Sequence, residues 1–157
     1  MKKVPLDIDE VAFAMEVHEG NGLLSYLDTD TGEVIKIFSY LLDGVEAGES
    51  DPAGELTEMA EYAEEILEDE TGRFMEIPTL SSDESYEIMM SFIENIRSDA
   101  VRTPLLKALQ GAGVFRRFRE TVARWPELEQ QWFTHHDGKL REEALRWLES
   151  IGVEVSP

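Results

Sequence analysis

The segment Leu23-Leu-Ser-Tyr-Leu-Asp-Thr-Asp-Thr-Gly-Glu-Val-Ile-Lys-Ile-Phe38 separates a mixed chain from an all-helical one. Residues 23–28 and 33–38 read as two strands joined by Thr29-Asp30-Thr31-Gly32. Val34, Ile35, Ile37 and Phe38 are the branched and aromatic residues that suit a pleated surface, and Lys36 between them marks a solvated face. Past the hairpin, Arg73-Phe-Met-Glu-Ile77, stopped by Pro78, is short and apolar enough for a third strand beside it. Asp28-Thr-Asp30 also starts like a calcium loop. Position 5 is then Gly32 and position 12 is Ser39, so the ligand pattern fails and a polar hairpin turn remains.

Helical spacing surrounds this small sheet. Asp7-Ile-Asp-Glu10 predicts a helix start, with Ile8, Val11, Ala12 and Met15 on one face and a stop at Gly20-Asn21-Gly22. Phe13 and Val17 lie off that face. Residues 43–54 read as loop, and Glu55–Glu70 as an acidic helix on a stripe of Leu56, Met59, Ala60, Ala63, Ile66 and Leu67. From Ser81, whose Glu84 completes a capping box, the pattern stays helical. Leu105, Leu106 and Leu109 mark one helix with Pro104 in its first turn. Phe115, Phe118, Val122 and Trp125 mark the next. Leu128, Trp132 and Phe133 carry a sixth helix, and Asp137-Gly138 opens a seventh that Gly152 closes. The predicted fold is α+β and mainly helical: an N-terminal helix, a small antiparallel sheet of hairpin plus third strand, and a C-terminal helical bundle. One domain over 1–157 is expected, with an acidic α/β part at about 1–80 and a helical part at about 81–152.

The chain has 157 residues and a formal net charge of −20. With 42% hydrophobic residues it can build a core. It has no cysteine, which excludes disulfides, thiolate metal sites and cysteine nucleophiles. No apolar run approaches the roughly 20 residues of a membrane span, and Met1–Asp7 turns acidic too soon for a signal peptide. A cytoplasmic protein with no membrane partner is expected. The charge is uneven. Residues 1–72 hold three basic side chains against twenty acidic ones, whereas residues 97–157 hold ten against nine. The first part repels anions, and only the last part can receive one.

Three constellations bear on function. The acidic helix is an ordinary solvated face, or else a dock or decoy for a basic partner. His135-His136-Asp137 is the one cluster of histidine and acid, but adjacent helical residues point about 100° apart, so it is a weak metal or acid–base candidate. Histidines near a helix C-terminus are also a common structural choice. Leu109-Gln-Gly111-Ala-Gly113-Val-Phe115-Arg116-Arg117-Phe118-Arg119 says more. Glycines bring a main chain close to a ligand, a helix start offers free amides, and arginines neutralise phosphates. The same glycines serve equally as a C-cap and tight turn, and Glu120 lies within reach of Arg116 and Arg117. Phe115 and Phe118 suit a core better than a base-stacking platform.

The chain resembles the bacterial Uncharacterised Protein Family 0158. The resemblance rests on Val4-Pro-Leu-Asp-Ile-Asp-Glu10, Tyr26-Leu-Asp28, Thr31-Gly-Glu-Val34 and Arg73-Phe-Met-Glu-Ile-Pro78. It continues through Gly113-Val-Phe-Arg-Arg-Phe118, Trp132-Phe133, Leu140-Arg141, Ala144, Trp147-Leu148 and Gly152. It implies a single-domain protein of the bacterial cytosol and assigns no catalytic residue. The reading that follows is a non-enzymatic binding or adaptor protein without cofactor. Its binding residues are Gly111, Gly113, Arg116, Arg117, Arg119 and Arg124, with Trp125 and Trp132 near by, and its partner carries an acidic segment. The alternatives are a nucleic acid or phosphate-bearing ligand on Gly111–Arg119, and a metal- or histidine-based hydrolase on His135, His136 and Asp137.

Overall fold

The computed structural model describes residues 1–16, 22–46 and 57–156. The fold is α+β and mainly helical. The chain divides into two compact units, residues 1–79 with 143–157 and residues 80–142.

In the first unit the chain runs β1 (Lys2–Val4), α1 (Ile8–Ala14), β2 (Leu23–Asp28), β3 (Val34–Phe38), α2 (Ser39–Glu46), α3 (Thr57–Glu68) and β4 (Phe74–Glu76). The hairpin forms as its alternation dictates, with Ile35 opposite Tyr26 and Ile37 opposite Leu24. The third strand lies beside it: β4 pairs antiparallel with β2, giving the order β3-β2-β4. Ile35 and Ile37 are buried with Leu42, Ala63 and Phe74, while Met59, Tyr62 and Ile66 of α3 pack on them. Gly32 closes the turn at φ +85°, and a Cβ there would collide with the Pro5 carbonyl oxygen.

Some element bounds and pairings in this unit differ from the sequence reading, and part of that reading lies outside the described residues. Asp7 does cap α1, but through the Asp9 amide at 2.9 Å. That helix ends at Ala14, while Val17 and the Gly20-Asn21 stop fall outside the described residues. Residues 39–46 form α2 where loop is predicted from 43, because Leu42 adds to the buried cluster; residues 47–56 lie outside the description. The acidic helix is described from Thr57, so Glu55 and Leu56 are also outside it. Finally, β1 pairs in parallel with an unforeseen strand, β5 (Val153–Val155), Lys3 standing opposite Glu154.

The second unit holds α4 (Ser82–Glu94), α5 (Asp99–Ala108), α6 (Val114–Val122) and the first part of α7 (Pro126–Ser150), whose residues from 143 belong to the first unit. Ser81 and Glu84 form the capping box. Met89, Phe92, Ile93, Leu105, Leu109, Phe118, Val122 and Trp132 make the core. Pro104 is not in a first turn: α5 starts at Asp99, so the proline sits inside the helix. The predicted sixth and seventh helices are one. α7 runs through Asp137-Gly138 without a break, with Trp132 buried before that pair and Leu140, Ala144 and Leu148 buried after it. No helix among the described residues is long and apolar enough to cross a membrane.

Candidate functional site

The link from α5 to α6 is built by its glycines. Gly111 and Gly113 have φ of +81° and +71°, where side chains with a Cβ are strained, and a Cβ on Gly113 would meet nothing. Conformation, not close approach, calls for them. Arg117 then reaches back to the end of α5. Its Nε donates to the Ala108 carbonyl at 3.3 Å and its Nη2 to that of Gln110. The guanidinium thus caps carbonyls that the ending helix leaves without partners.

Between α5 and α6 lies a groove of about 470 Å³. Lys107, Arg117 and Arg124 line it together with Thr103, and Glu120 is the one carboxylate there. The four predicted arginines do not share this face. Arg117 of α6 and Arg124, in the turn that follows the helix, both line the groove, while Arg119 points about 160° away from Arg117. Arg116 is exposed and bound to Glu120, Nε to Oε1, at 2.9 Å. Trp125 is half-buried. Trp132 is a core residue: 7% exposed, with its ring 4.7 Å from Phe118 and 5.4 Å from Phe92 in edge-on packing. Its area is taken up inside the unit and is not available at a binding face. Phe118 is buried as expected, but Phe115 is 39% exposed. Lys107 is the groove residue that sequence reading missed, although a basic residue in the last turn of α5 is a recognisable signal.

His135 and His136 do not end a helix. They lie inside α7, so a favourable C-terminal dipole cannot explain them. His135 Nε2 stands 2.8 Å from Ser91 Oγ on α4. The Ser91 hydroxyl hydrogen goes to the Ile88 carbonyl, also at 2.8 Å. The two contacts tie α7 to α4 through the serine oxygen. Burial is the main influence that pushes His135 below its ordinary value. His136 Nδ1 lies 3.3 Å from Asp137 Oδ1. Among the described residues no three of His, Cys, Asp and Glu come together as a metal cage. Nothing in the sequence links Ser91 to His135, 44 residues away.

Among the described residues the most buried charge lies in the first unit. Asp28 is 1% exposed and accepts both Arg73 Nε at 3.0 Å and Arg73 Nη2 at 2.8 Å. It also accepts the Asp30 amide at 2.9 Å, and Arg73 extends to Asp30 at 3.3 Å. Thr29 donates both its amide and its hydroxyl to the Arg73 carbonyl. These bonds tie the hairpin turn to the start of β4, which gives the polar turn a structural role.

Comparison with known proteins places these features in a family. The model of an uncharacterised protein family, UPF0158, matches residues 7–156. The UPF0158 protein PA5073 of Pseudomonas aeruginosa is 32% identical over 154 residues, spanning 98% of this chain and 88% of that protein. No solved structure matches the chain. With both the family model and this relative covering nearly its whole length, the chain belongs to the uncharacterised protein family UPF0158.

Proposed function

We propose that this chain is a non-enzymatic binding protein that takes an acidic segment of a protein partner into the α5–α6 groove. The supporting observation is the convergence of Lys107, Arg117 and Arg124 on one concave surface in a chain of net charge −20. Glu120, the carboxylate beside them, is held by Arg116. A groove lined by one sign of charge concentrates its field and draws in the opposite sign. Arg117 is fixed by the α5 carbonyls and supplies charge in place, while Lys107 and Arg124 are the side chains that reach a ligand.

The test uses a fluorescent peptide of alternating Glu and Leu and the full chain. Lys107→Glu with Arg124→Glu is expected to weaken binding about tenfold or more, and Arg119→Glu to leave it unchanged. Equal binding by all three proteins overturns the reading. Arg117 is unsuitable for this comparison. Arg117→Ala leaves the end of α5 uncapped and costs about 1–2 kcal/mol in urea unfolding.

A second reading, a nucleic-acid backbone or phosphate-bearing ligand on Gly111–Arg119, is favoured by the start of α6. Gly113 gives that helix no side-chain cap, so its first amides face outward. Duplex DNA bound there would lose affinity with log salt at a slope of about −0.9 per phosphate neutralised, and a flat salt response removes this reading.

A further inference from the structure

The first unit offers a different kind of surface, at the open side of β3. In the order β3-β2-β4, β3 has one neighbour among the described residues. Its register decides what that side presents. The Asp28 amide donates to the Glu33 carbonyl at 2.9 Å, and the Ser39 amide to the Gly22 carbonyl at 2.8 Å. With Tyr26 opposite Ile35 and Leu24 opposite Ile37, residues 33, 35, 37 and 39 are the ones whose backbone faces β2. Val34, Lys36 and Phe38 therefore turn their N–H and C=O groups the other way.

A groove of about 460 Å³ runs along this edge. It is lined by residues 34–36 of β3, by Met59 and Tyr62 of α3, and by Glu10 of α1. Glu33 and Glu58 add two more carboxylates. The negative field is felt by Tyr62, whose phenol is held above its ordinary value chiefly by Glu33. Exposed edges are commonly blunted by a lysine. Here the Lys36 ammonium sits over the Phe13 ring, 5.5 Å from its centroid.

We propose that this groove binds an extended basic segment of a protein partner, which adds to the sheet as a strand beside β3. The Val34 and Lys36 backbone supplies the pairing. Met59 and Tyr62 pack against the peptide, and its Lys or Arg side chains meet Glu10, Glu33 and Glu58. Charge argues for this occupant over a second copy of the chain, because two-fold pairing of β3 with β3 would bring the same three glutamates together on both sides.

The experiment measures fluorescence anisotropy of a labelled peptide of alternating Lys and Val, its ends blocked, against the full chain. A second peptide of the same sequence is N-methylated on alternate residues, which keeps the charge and removes the pairing amides. The parent peptide is expected to bind and the methylated one to lose about tenfold or more in affinity. Val34→Pro is expected to cause a similar loss. The amide it removes faces away from β2, the one setting in which a strand tolerates proline. Should that variant fail to fold, the methylated peptide makes the same comparison on the unmodified protein. Glu10→Gln with Glu58→Gln is expected to weaken binding about fivefold, and Lys107→Glu with Arg124→Glu to leave it unchanged, which separates this site from the helical groove. No binding of the parent peptide, or equal binding of its methylated form, overturns the proposal. So does a dimer in light scattering that Val34→Pro dissolves, since the edge would then belong to a second copy.

Discussion

Asp28 is placed where a carboxylate survives only with partners, and its partners come from a residue 45 positions away. Burial raises its pKa, but the Arg73 guanidinium, the Asp30 amide and Thr31 together hold it below the ordinary carboxylate value. Asp69 is held to about 2, first by the Phe74 amide and then by the Thr71 hydroxyl and amide. Both carboxyls anchor the approach to β4. Because the unfolded chain binds these protons more readily, the stability they contribute is complete above the ordinary carboxylate value, about 4, and is lost as pH falls towards 2. Urea unfolding of the parent chain and Asp69→Asn should therefore differ at pH 7 and converge near pH 2. A gap that persists unchanged at pH 2 contradicts the assignment. Asp28→Ala removes the carboxylate that takes both Arg73 bonds, leaves the guanidinium to Asp30 and solvent, and should lower the urea unfolding free energy at pH 7 by about 1–2 kcal/mol. The sequence shows Asp28-Thr-Asp30-Thr-Gly32 as a turn because those residue types make turns locally. It does not show Arg73 as the partner, since ion pairing between distant residues leaves no periodic trace.

Elements were legible in proportion to their length and to the locality of their causes. The hairpin and the Ser81 capping box depend on neighbours in sequence and stand where predicted. The β1–β5 pair joins three-residue strands from opposite ends of the chain, and neither carries a pattern long enough to read. In α7 a local signal misled: Asp137-Gly138 has the composition of a helix boundary, yet tertiary burial of Trp132, Leu140, Ala144 and Leu148 overrides it. That conflict has a measurable remainder. Glycine inside a helix is about 0.5–1 kcal/mol worse than alanine, and a Cβ on Gly138 would meet nothing within 4 Å. Gly138→Ala should raise the urea unfolding free energy by about that amount. A destabilised variant would mean that a kink or a break at Gly138 is part of the fold.

At the scale of the molecule the charge divides unevenly between the two units, as it does along the sequence. The unit of residues 1–79 and 143–157 holds five basic against twenty-four acidic side chains, whereas residues 80–142 hold nine against ten. The asymmetry was legible because charge is additive along a chain. The grooves were not, because Lys107 meets Arg117 and Arg124 only after α5 and α6 pack, and Glu10 meets Glu33 and Glu58 only after α1 and α3 flank β3. A unit so negative opposes its own compaction, and this repulsion acts over roughly 8–10 Å at cellular salt. Raising sodium chloride from about 10 mM to about 0.5 M shortens that range to a few ångströms. The melting temperature should then rise by about 3 °C, the shift expected for roughly 1 kcal/mol of relieved repulsion in a chain of this size. Hydrogen exchange gives the location. Amides of β2, β3 and α3 should gain more protection with salt than those of α5 and α6, because the first group lies in the unit with the excess acids. Equal gains in both groups would make the salt effect a general one, and a fall in melting temperature would mean that attractive pairs outweigh the repulsion.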